Sequence, residues 1–507
     1  MRAITTERSI TDGNLELQKL FEFIRENAPE FKSYDIEKHI LSSVLRIGFY
    51  AMQYFFAEKG TGDVGPTLKL DNGKILKKES CLRGRDYYSI FGKFKVPRTC
   101  YRADGFWGVM PLDFQVDMPI RCYSYFLQEI QDMFSVRDSF GEASLSLEKL
   151  LGLKISPSRF EVISQDTSTS YDEFYENKES PSAESEGALQ VVSFDGKGVP
   201  VIKREAAKLK ARLGKGEKRQ KKKEAFVGVS YTVDGKNRTP EEVANNLIYP
   251  EETRKANSEG GLNSSSIKAK NIRRLASLER TKKEVFDEIL ADAKMRDPEQ
   301  KKQWVVLMDG ALFLWSMLAA VFNGIKYIGI LDIIHVTEYI WKAGNALYGE
   351  KKPKTEKWVY NTLLKILKGE VGEIIAELNL NLTESGLKKC QAESLREVIC
   401  YFDNHREWMK YDEYLGSGYP IGTGVVESSC GHTVKNRMEG TGRRWSINGA
   451  EATLLLRSVY TSGDWDDYWI AHMKRERRLL DQRSFDGLGY PDDYSFGNWQ
   501  SEELTGT

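Results

Sequence analysis

Long apolar runs are missing from this chain of 507 residues. The most apolar stretch, Ala311 to Phe322 (ALFLWSMLAAVF), is 12 residues long, well short of the roughly 20 needed to cross a bilayer. The opening MRAITTERSITDGNLELQ has no apolar segment of the signal-peptide kind, so a soluble, cytoplasmic protein is expected. Six cysteines (Cys81, Cys100, Cys122, Cys390, Cys400, Cys430) lie far apart with no CxxC among them. That argues against a disulfide framework or a zinc ribbon and leaves scattered, mostly buried thiols. There is no GxxxxGK[ST], and the five histidines (His39, His335, His405, His432, His472) give no support to Ser/His/Asp or Cys/His catalysis. Net charge is absent too, with 74 Lys and Arg against 74 Asp and Glu. This excludes a protein coated in positive potential, but nucleic-acid binding depends on local basic surfaces rather than on the total.

Such surfaces exist. Lys203 to Lys223 carries eleven Lys/Arg against two Glu, and Lys268 to Lys283 carries seven against one, while residues 486–503 are acidic. A charge run is most often a solvated loop or helix face, but two of them flanking one candidate site point towards nucleic acid.

Apolar residues at 40% and charged residues at 29% are the balance of a globular protein, and the length predicts two to four domains. Residues 1–80 read as amphipathic helices, for example Asn14–Ala28 and Ile36–Ala57. A small β module is expected over 81–120, where Tyr87 to Val96 alternates as a strand ending at Pro97. Over 121–180 the texture is helical again. Phe140 to Leu151 predicts one helix, Gly152 its stop and Ser156-Pro157 the start of the next. A helix-turn-helix and an ordinary αα-hairpin both fit that layout. Glu179 to Gly187 has linker composition. Short apolar runs then predict strands at Leu189–Phe194, Ala225–Val233, Trp304–Met308 and Tyr327–Leu331, the last two joined by a helical stretch as in a parallel pair. From about Val336 to Leu415 the pattern is helical. The expected class is α/β multidomain, with core segments at 188–349 and 416–475, a helical insertion at 350–415 and a tail at 476–507.

Asp195 closes the first strand in VVSFDGKGVP, and Asp309 closes another in WVVLMDGALF, each followed by glycine. Carboxylates at strand ends beside glycine are free to converge on a divalent metal, although Asp-Gly there is also plain turn chemistry. Glu427 follows the GYPIGTG loop in the first turn of a helix expected over Val425–Met438, where the dipole favours a carboxylate. Lys435 lies two turns on, Arg437 further round, and Gly440-Thr441-Gly442-Arg443-Arg444-Trp445 adds a basic loop with an aromatic. Such a segment suits a site holding metal and a phosphodiester; read alone it is equally a capping Glu with surface cations.

Phe194-Asp195-Gly196-Lys197-Gly198-Val199-Pro200 resembles the DGKGVP signature of bacterial insertion-sequence transposases of the Kra group. Thr239-Pro240-Glu241-Glu242 and Leu331 to Trp341 (LDIIHVTEYIW) are similar to the same group. The strongest match is Gly424-Val425-Val426-Glu427-Ser428-Ser429-Cys430, running on through Arg437-Met438, Arg444-Trp445-Ser446 and Gly463-Asp464-Trp465. The resemblance covers residues 85–475. It implies an RNase H-like mixed-sheet core with an all-helical insertion before the final Glu, preceded by DNA-binding modules. Asp195, Asp309 and Glu427 would be its DDE triad. Related Mutator-like transposases carry an Asp-x-x-His motif, matched here by Asp332 and His335; an N-cap Asp beside a packed His is the other reading of that pair. Relatives also carry a CxxC-bearing module where this chain has Tyr101-Arg102-Ala103-Asp104-Gly105, so no zinc is expected.

The resemblance implies a DNA transposase using two Mg²⁺ (or Mn²⁺) and no nucleotide, acting on terminal inverted repeats and target DNA as a homodimer or higher oligomer, without a membrane and associated with the nucleoid. His335, Lys435, Arg437, Arg443, Arg444 and Trp445 are the expected DNA contacts, with Asp332 behind them. The competing readings are a transposase-derived DNA-binding protein without catalysis and an RNase H-fold nuclease that only hydrolyses.

Overall fold

Apolar runs and glycine stops set most of the elements. The computed structural model describes residues 5–208, 222–251, 253, 267–322, 324–384, 386–440 and 442–485. It is a mixed α/β protein of two compact units, Met1–Asn177 with Asp464–Thr507, and Lys178–Gly463.

In the first unit, helices α1 (Thr6–Asn27) and α2 (Ser33–Lys59) form an antiparallel hairpin. Among the described residues α2 is the helix long and apolar enough, by composition alone, to cross a membrane. Four strands follow in the order β1 (Thr67–Lys69), β2 (Ile75–Lys78), β5 (Tyr101–Ala103) and β6 (Phe106–Val109), so β structure begins inside the region expected to be helical. The single strand expected at Tyr87–Val96 is instead a hairpin, β3 (Arg83–Ser89) and β4 (Gly92–Arg98). Gly92 takes φ 126° at the turn, and Pro97 lies within β4. Phe140–Leu151 is a helix at the expected bounds, and helix Pro157–Ser168 starts where Ser156-Pro157 placed it, with Gly152 left-handed at φ 67°. Together with helix Tyr125–Ser135 they bury Leu127, Ala143, Leu147, Phe160 and Ile163. Helix Trp465–Phe485 falls in this unit rather than dividing between a core and a tail. His472 Nδ1 lies 2.8 Å from Ser170 Oγ, and Tyr468 donates to the Thr167 carbonyl.

The second unit is built on a five-stranded sheet of β7 (Leu189–Pro200), β8 (Lys222–Val233), β9 (Lys270–Ser277), β10 (Gln303–Met308) and β11 (Tyr327–Leu331), ordered β11-β10-β7-β8-β9. β7, β8 and β9 form an antiparallel meander; β10 runs parallel to β7, and β11 parallel to β10. The continuous apolar run Trp304–Met308 is buried, as a strand covered on both faces requires. Phe194 stacks on Phe286 of helix Lys282–Met295 at 3.8 Å.

Three expectations change here. β7 does not stop at Phe194: its pairing with β8 runs on to Pro200↔Lys222, so the DGKG segment is strand rather than turn. The supposed linker ends in a clamp, because the Glu186 side chain is buried and pairs with Arg296 at 2.8 Å and Lys302 at 3.0 Å. The basic run at 268–283 is largely β9, and its arginines are used internally. Arg274 donates to Ser429 Oγ at 2.9 Å and to the Thr461 carbonyl, and Arg280 pairs with Glu288 and Glu451. Of the other basic run, Lys203–Lys208 is helical and residues 209–221 lie outside the described residues.

Candidate functional site

Where the parallel strands end, the carboxylates begin. The register aligns Phe194 with Met308 and Met308 with Leu331. The next residue of each strand is an aspartate, giving Asp195, Asp309 and Asp332. Parallel strands in register deliver equivalent residues to the same end of a sheet, and the carboxyl ends of such strands are where α/β sheets hold ligands. β10 and β11 turn away at this level while β7 continues along β8, which leaves Asp195 in a strand with one edge open.

Asp332 is the anchor. It is fully buried. Its Oδ1 accepts from the backbone N–H groups of Ile334 (3.1 Å) and Thr423 (3.0 Å), and its Oδ2 accepts from Thr423 Oγ1 and His335 Nδ1, each at 2.7 Å. Burial acts to raise its pKa, but the bonds from His335 and Thr423 outweigh it and hold the carboxyl below its ordinary value. The bond to Asp332 in turn raises the His335 pKa to about 9 against the effect of burial, with Asp309 and Glu338 adding to it. His335 is therefore an imidazolium at neutral pH, with its side chain 34% exposed.

Glu427 arrives from the far side of the helical segment. The returning loop docks on the end of β11, where Ile333 N–H donates to the Ile421 carbonyl at 3.0 Å and Thr423 N–H to Asp332. The helix expected over 425–438 is present as Gly424–Ser429, a π-helical stretch Cys430–Lys435 and a last turn Asn436–Met438. π-turns inside helices are frequent at functional sites. Glu427 is half-buried, its Oε1 3.2 Å from Thr423 Oγ1. The single hydroxyl hydrogen of Thr423 serves the shorter bond to Asp332.

Asp195 Oδ1 accepts from Gly196 N–H at 2.6 Å, and Cys430 Sγ–H donates to Oδ2 at 3.1 Å. Asp309 Oδ1 accepts from Ala311 N–H at 3.1 Å. Burial raises the pKa of Asp309, and the charges of Asp195 and Asp332 raise it further. For Glu427 burial again comes first, then Asp332 and Asp195. Asp309 and Glu427 thus each lie within range of the charges of Asp195 and Asp332, in a hard-oxygen environment that His335 only partly neutralises. That is the condition a divalent cation relieves.

Asp332, His335 and Glu427 offer ligand atoms that all lie within 4.8 Å of one another. Geometry alone would place an ion there. Four donors already occupy the lone pairs of Asp332, so it would have to give one up to ligate.

No protein-family model matches this chain, and no curated protein matches it.

Of the expected DNA contacts, Lys435 and Arg444 are exposed and His335 is partly so. Two are corrections. Arg437 is 1% exposed and stacks on Trp445, with its guanidinium 4.4 Å from the ring centroid. Trp445 is buried as well, its Nε1–H donating to the Met438 carbonyl at 3.1 Å while its backbone bridges to Val201. Arg443 is half-buried, and its Nη1 donates to the Arg437 carbonyl at 3.0 Å. This part of the basic loop is a brace that ties the Glu427 helix to the end of β7.

Sequence reading missed the residues that fix the Asp309 loop. Trp315 Nε1–H donates to the Asp309 carbonyl at 2.9 Å, and His405 Nε2 lies 2.8 Å from the Gly310 carbonyl. Tyr401, stacked on Tyr339 at 3.7 Å, covers Gly310 so closely that a Cβ there would stand 2.2 Å from its ring. Tyr401 and His405 lie one turn apart on helix Lys389–His405, a spacing that offered the one available signal.

Proposed function

We propose that this protein is a DDE transposase that cuts DNA at the ends of a mobile element and joins those ends to target DNA. The observation that carries the reading is the common register of Phe194, Met308 and Leu331, which brings Asp195 and Asp309 to one end of the sheet beside the anchored Asp332. An antiparallel meander extended by two parallel strands, with a helical segment before the final carboxylate, supports an RNase H-like core.

Asp195, Asp309 and Glu427 would hold Mg²⁺ or Mn²⁺, supplying activation of the attacking oxygen and neutralisation of the departing 3′ oxygen. The chain itself does the rest. Asp332 keeps His335 charged and oriented, so that its exposed edge can donate to a non-bridging phosphate oxygen. Lys435 and Arg444 bind the backbone of the duplex. Trp315 and His405 hold the Asp309 loop still, and Thr423 fixes where the Glu427 helix begins.

The decisive assay supplies DNA carrying the element's terminal repeats, Mg²⁺ and a target duplex. Cleaved and joined products are expected from the wild type, and Asp195→Asn should abolish both while retaining DNA binding. Products that persist in Asp195→Asn would overturn the assignment. A pre-cleaved end that is never joined would point to a nuclease that only hydrolyses.

A further inference from the structure

The first unit carries a surface unrelated to the carboxylate site. Among the described residues, ten of the 22 large apolar side chains that stand exposed lie between Ile10 and Phe55. Five of them, Ile10, Leu17, Phe21, Val44 and Tyr54, share an ordered spacing. The faces joining α1 to α2 follow a three-four rhythm, Ser9, Gly13, Glu16, Leu20 and Phe23 on α1 and His39, Ser43, Arg46 and Tyr50 on α2. Across this seam Phe23 stacks on His39 at 3.5 Å, Arg46 pairs with Glu16, and Gly13 faces Tyr50.

One residue on, each helix repeats the rhythm: Ile10, Asn14, Leu17, Phe21 and Ile24 on α1 with Ala28 at its C-cap, and Ile40, Val44, Ile47, Ala51 and Tyr54 on α2. One residue is a rotation of about 100°. In an antiparallel pair, equal rotations along each chain direction bring both second seams to the same side of the hairpin. That side is open: Ile10 is 50% exposed, Phe21 64% and Val44 49%.

We propose that this second seam is a homodimer interface, on which the hairpin of another copy packs to complete a four-helix bundle. A helix with two adjacent heptad seams has two neighbours, as every helix of such a bundle does. A two-fold pairing needs a self-complementary patch, which an apolar seam free of charge supplies. A standard stable interface covers roughly 800 Å² per partner, and Ile10, Leu17, Phe21, Val44 and Tyr54 within the seam are each at least 36% exposed. Asn14 is the one strongly polar residue in it, and a single polar position of this kind fixes register. Nucleic acid fits poorly, because the seam contains no Lys or Arg. A lipid surface is the competing occupant, since α2 is apolar enough to enter one.

Sedimentation velocity of the full chain tests this without any DNA substrate, so its outcome is independent of the catalytic reading. The wild type should sediment at twice the 57.9 kDa chain mass or more, and Phe21→Glu and Val44→Glu should raise the dissociation constant about 100-fold or more, because an unpaired carboxylate would be buried in each half of the interface. Leu15→Glu, on the same helix but off the seam, should leave the mass unchanged. Thermal unfolding of all three variants checks that the chain stays folded. A wild type of single-chain mass, or a seam variant that stays dimeric, would overturn the proposal. So would a single-chain wild type that floats with phosphatidylcholine vesicles and is released by Phe21→Glu, which would assign the face to lipid instead.

Discussion

His335 Nδ1 lies 2.7 Å from Asp332 Oδ2, one helical turn apart, and the aspartate is wholly buried while the histidine reaches solvent. Only the far edge of the imidazolium is left to meet a ligand, and its charge depends on a residue that is itself closed to solvent.

Asp332→Asn should therefore act through His335. Replacing the anionic partner removes the main cause of the raised pKa, which should fall from about 9 towards the ordinary 6.5. In the wild type the charge is present below about pH 9 and lost above it, so DNA affinity should decline as pH rises through 9; in the variant the decline should come near neutrality. Titration of the imidazole Cε1–H by NMR reads this directly. An unchanged midpoint would show that Asp332 does not set the charge.

The basic loop divides into contacts and braces, and substitution should separate them. Lys435→Ala and Arg444→Ala remove exposed cations, so each should weaken DNA binding and flatten its salt dependence by about one unit of slope with little change in stability. Arg437→Ala removes a buried group stacked on Trp445 and should cost on the order of 3 kcal/mol of stability, since the space and the polar partners it leaves cannot be refilled. Urea denaturation beside fluorescence anisotropy at several salt concentrations distinguishes the two classes. A purely electrostatic effect of Arg437→Ala would place that residue on the DNA after all.

Gly310→Ala tests the lock on the Asp309 loop. The added methyl would meet the Tyr401 ring at 2.2 Å, and overpacking of this kind costs about 1–3 kcal/mol. Because Gly310 follows Asp309, cleavage should also fall, by about 10-fold or more. In a Tyr401→Ala background, itself weakened by loss of the ring that stacks on Tyr339, adding Gly310→Ala should cost nothing further, since the clash is gone. If Gly310→Ala costs as much there as in the wild type, the contact is not what requires glycine.

Much of this was legible, and the failures share a cause. Val191 to Phe194 and Tyr327 to Leu331 announce strands by apolar content alone, and Gly152 with Ser156-Pro157 mark two helix ends by local stereochemistry. Local pattern misled where a distant partner decides the outcome. Gly196 and Gly198 read as a turn, yet β8 pairs with them as strand. Arg274 and Arg280 read as DNA-facing charge, yet their partners at Ser429, Thr461 and Glu451 lie over 150 residues away. The site was half visible. Asp195, Asp309 and Glu427 stood out through neighbouring glycines, whereas Tyr401 and His405 look like any amphipathic helix until the fold sets them against Gly310.

Glu476 offers a test in the first unit that needs no DNA. It is 1% exposed on helix Trp465–Phe485, and burial lifts its pKa to about 7. His472, one turn earlier, is pushed down to about 3, again by burial. The signs are opposite in effect. The folded chain holds a proton on Glu476 that the unfolded chain has lost, so this group's stabilisation falls as pH rises from about 4.5 to about 7. The folded chain refuses a proton on His472 that the unfolded chain takes, so stability falls as pH drops from about 6.5 to about 3. Glu476→Gln keeps the shape and abolishes the first effect alone. At pH 8 it should be more stable than the wild type by up to about 3 kcal/mol, at pH 4 nearly equal, and the acid limb due to His472 should remain. Urea midpoints across this range measure the difference, and a variant weakened equally at both pH values would mean that the carboxylate is charged and paired in the folded protein.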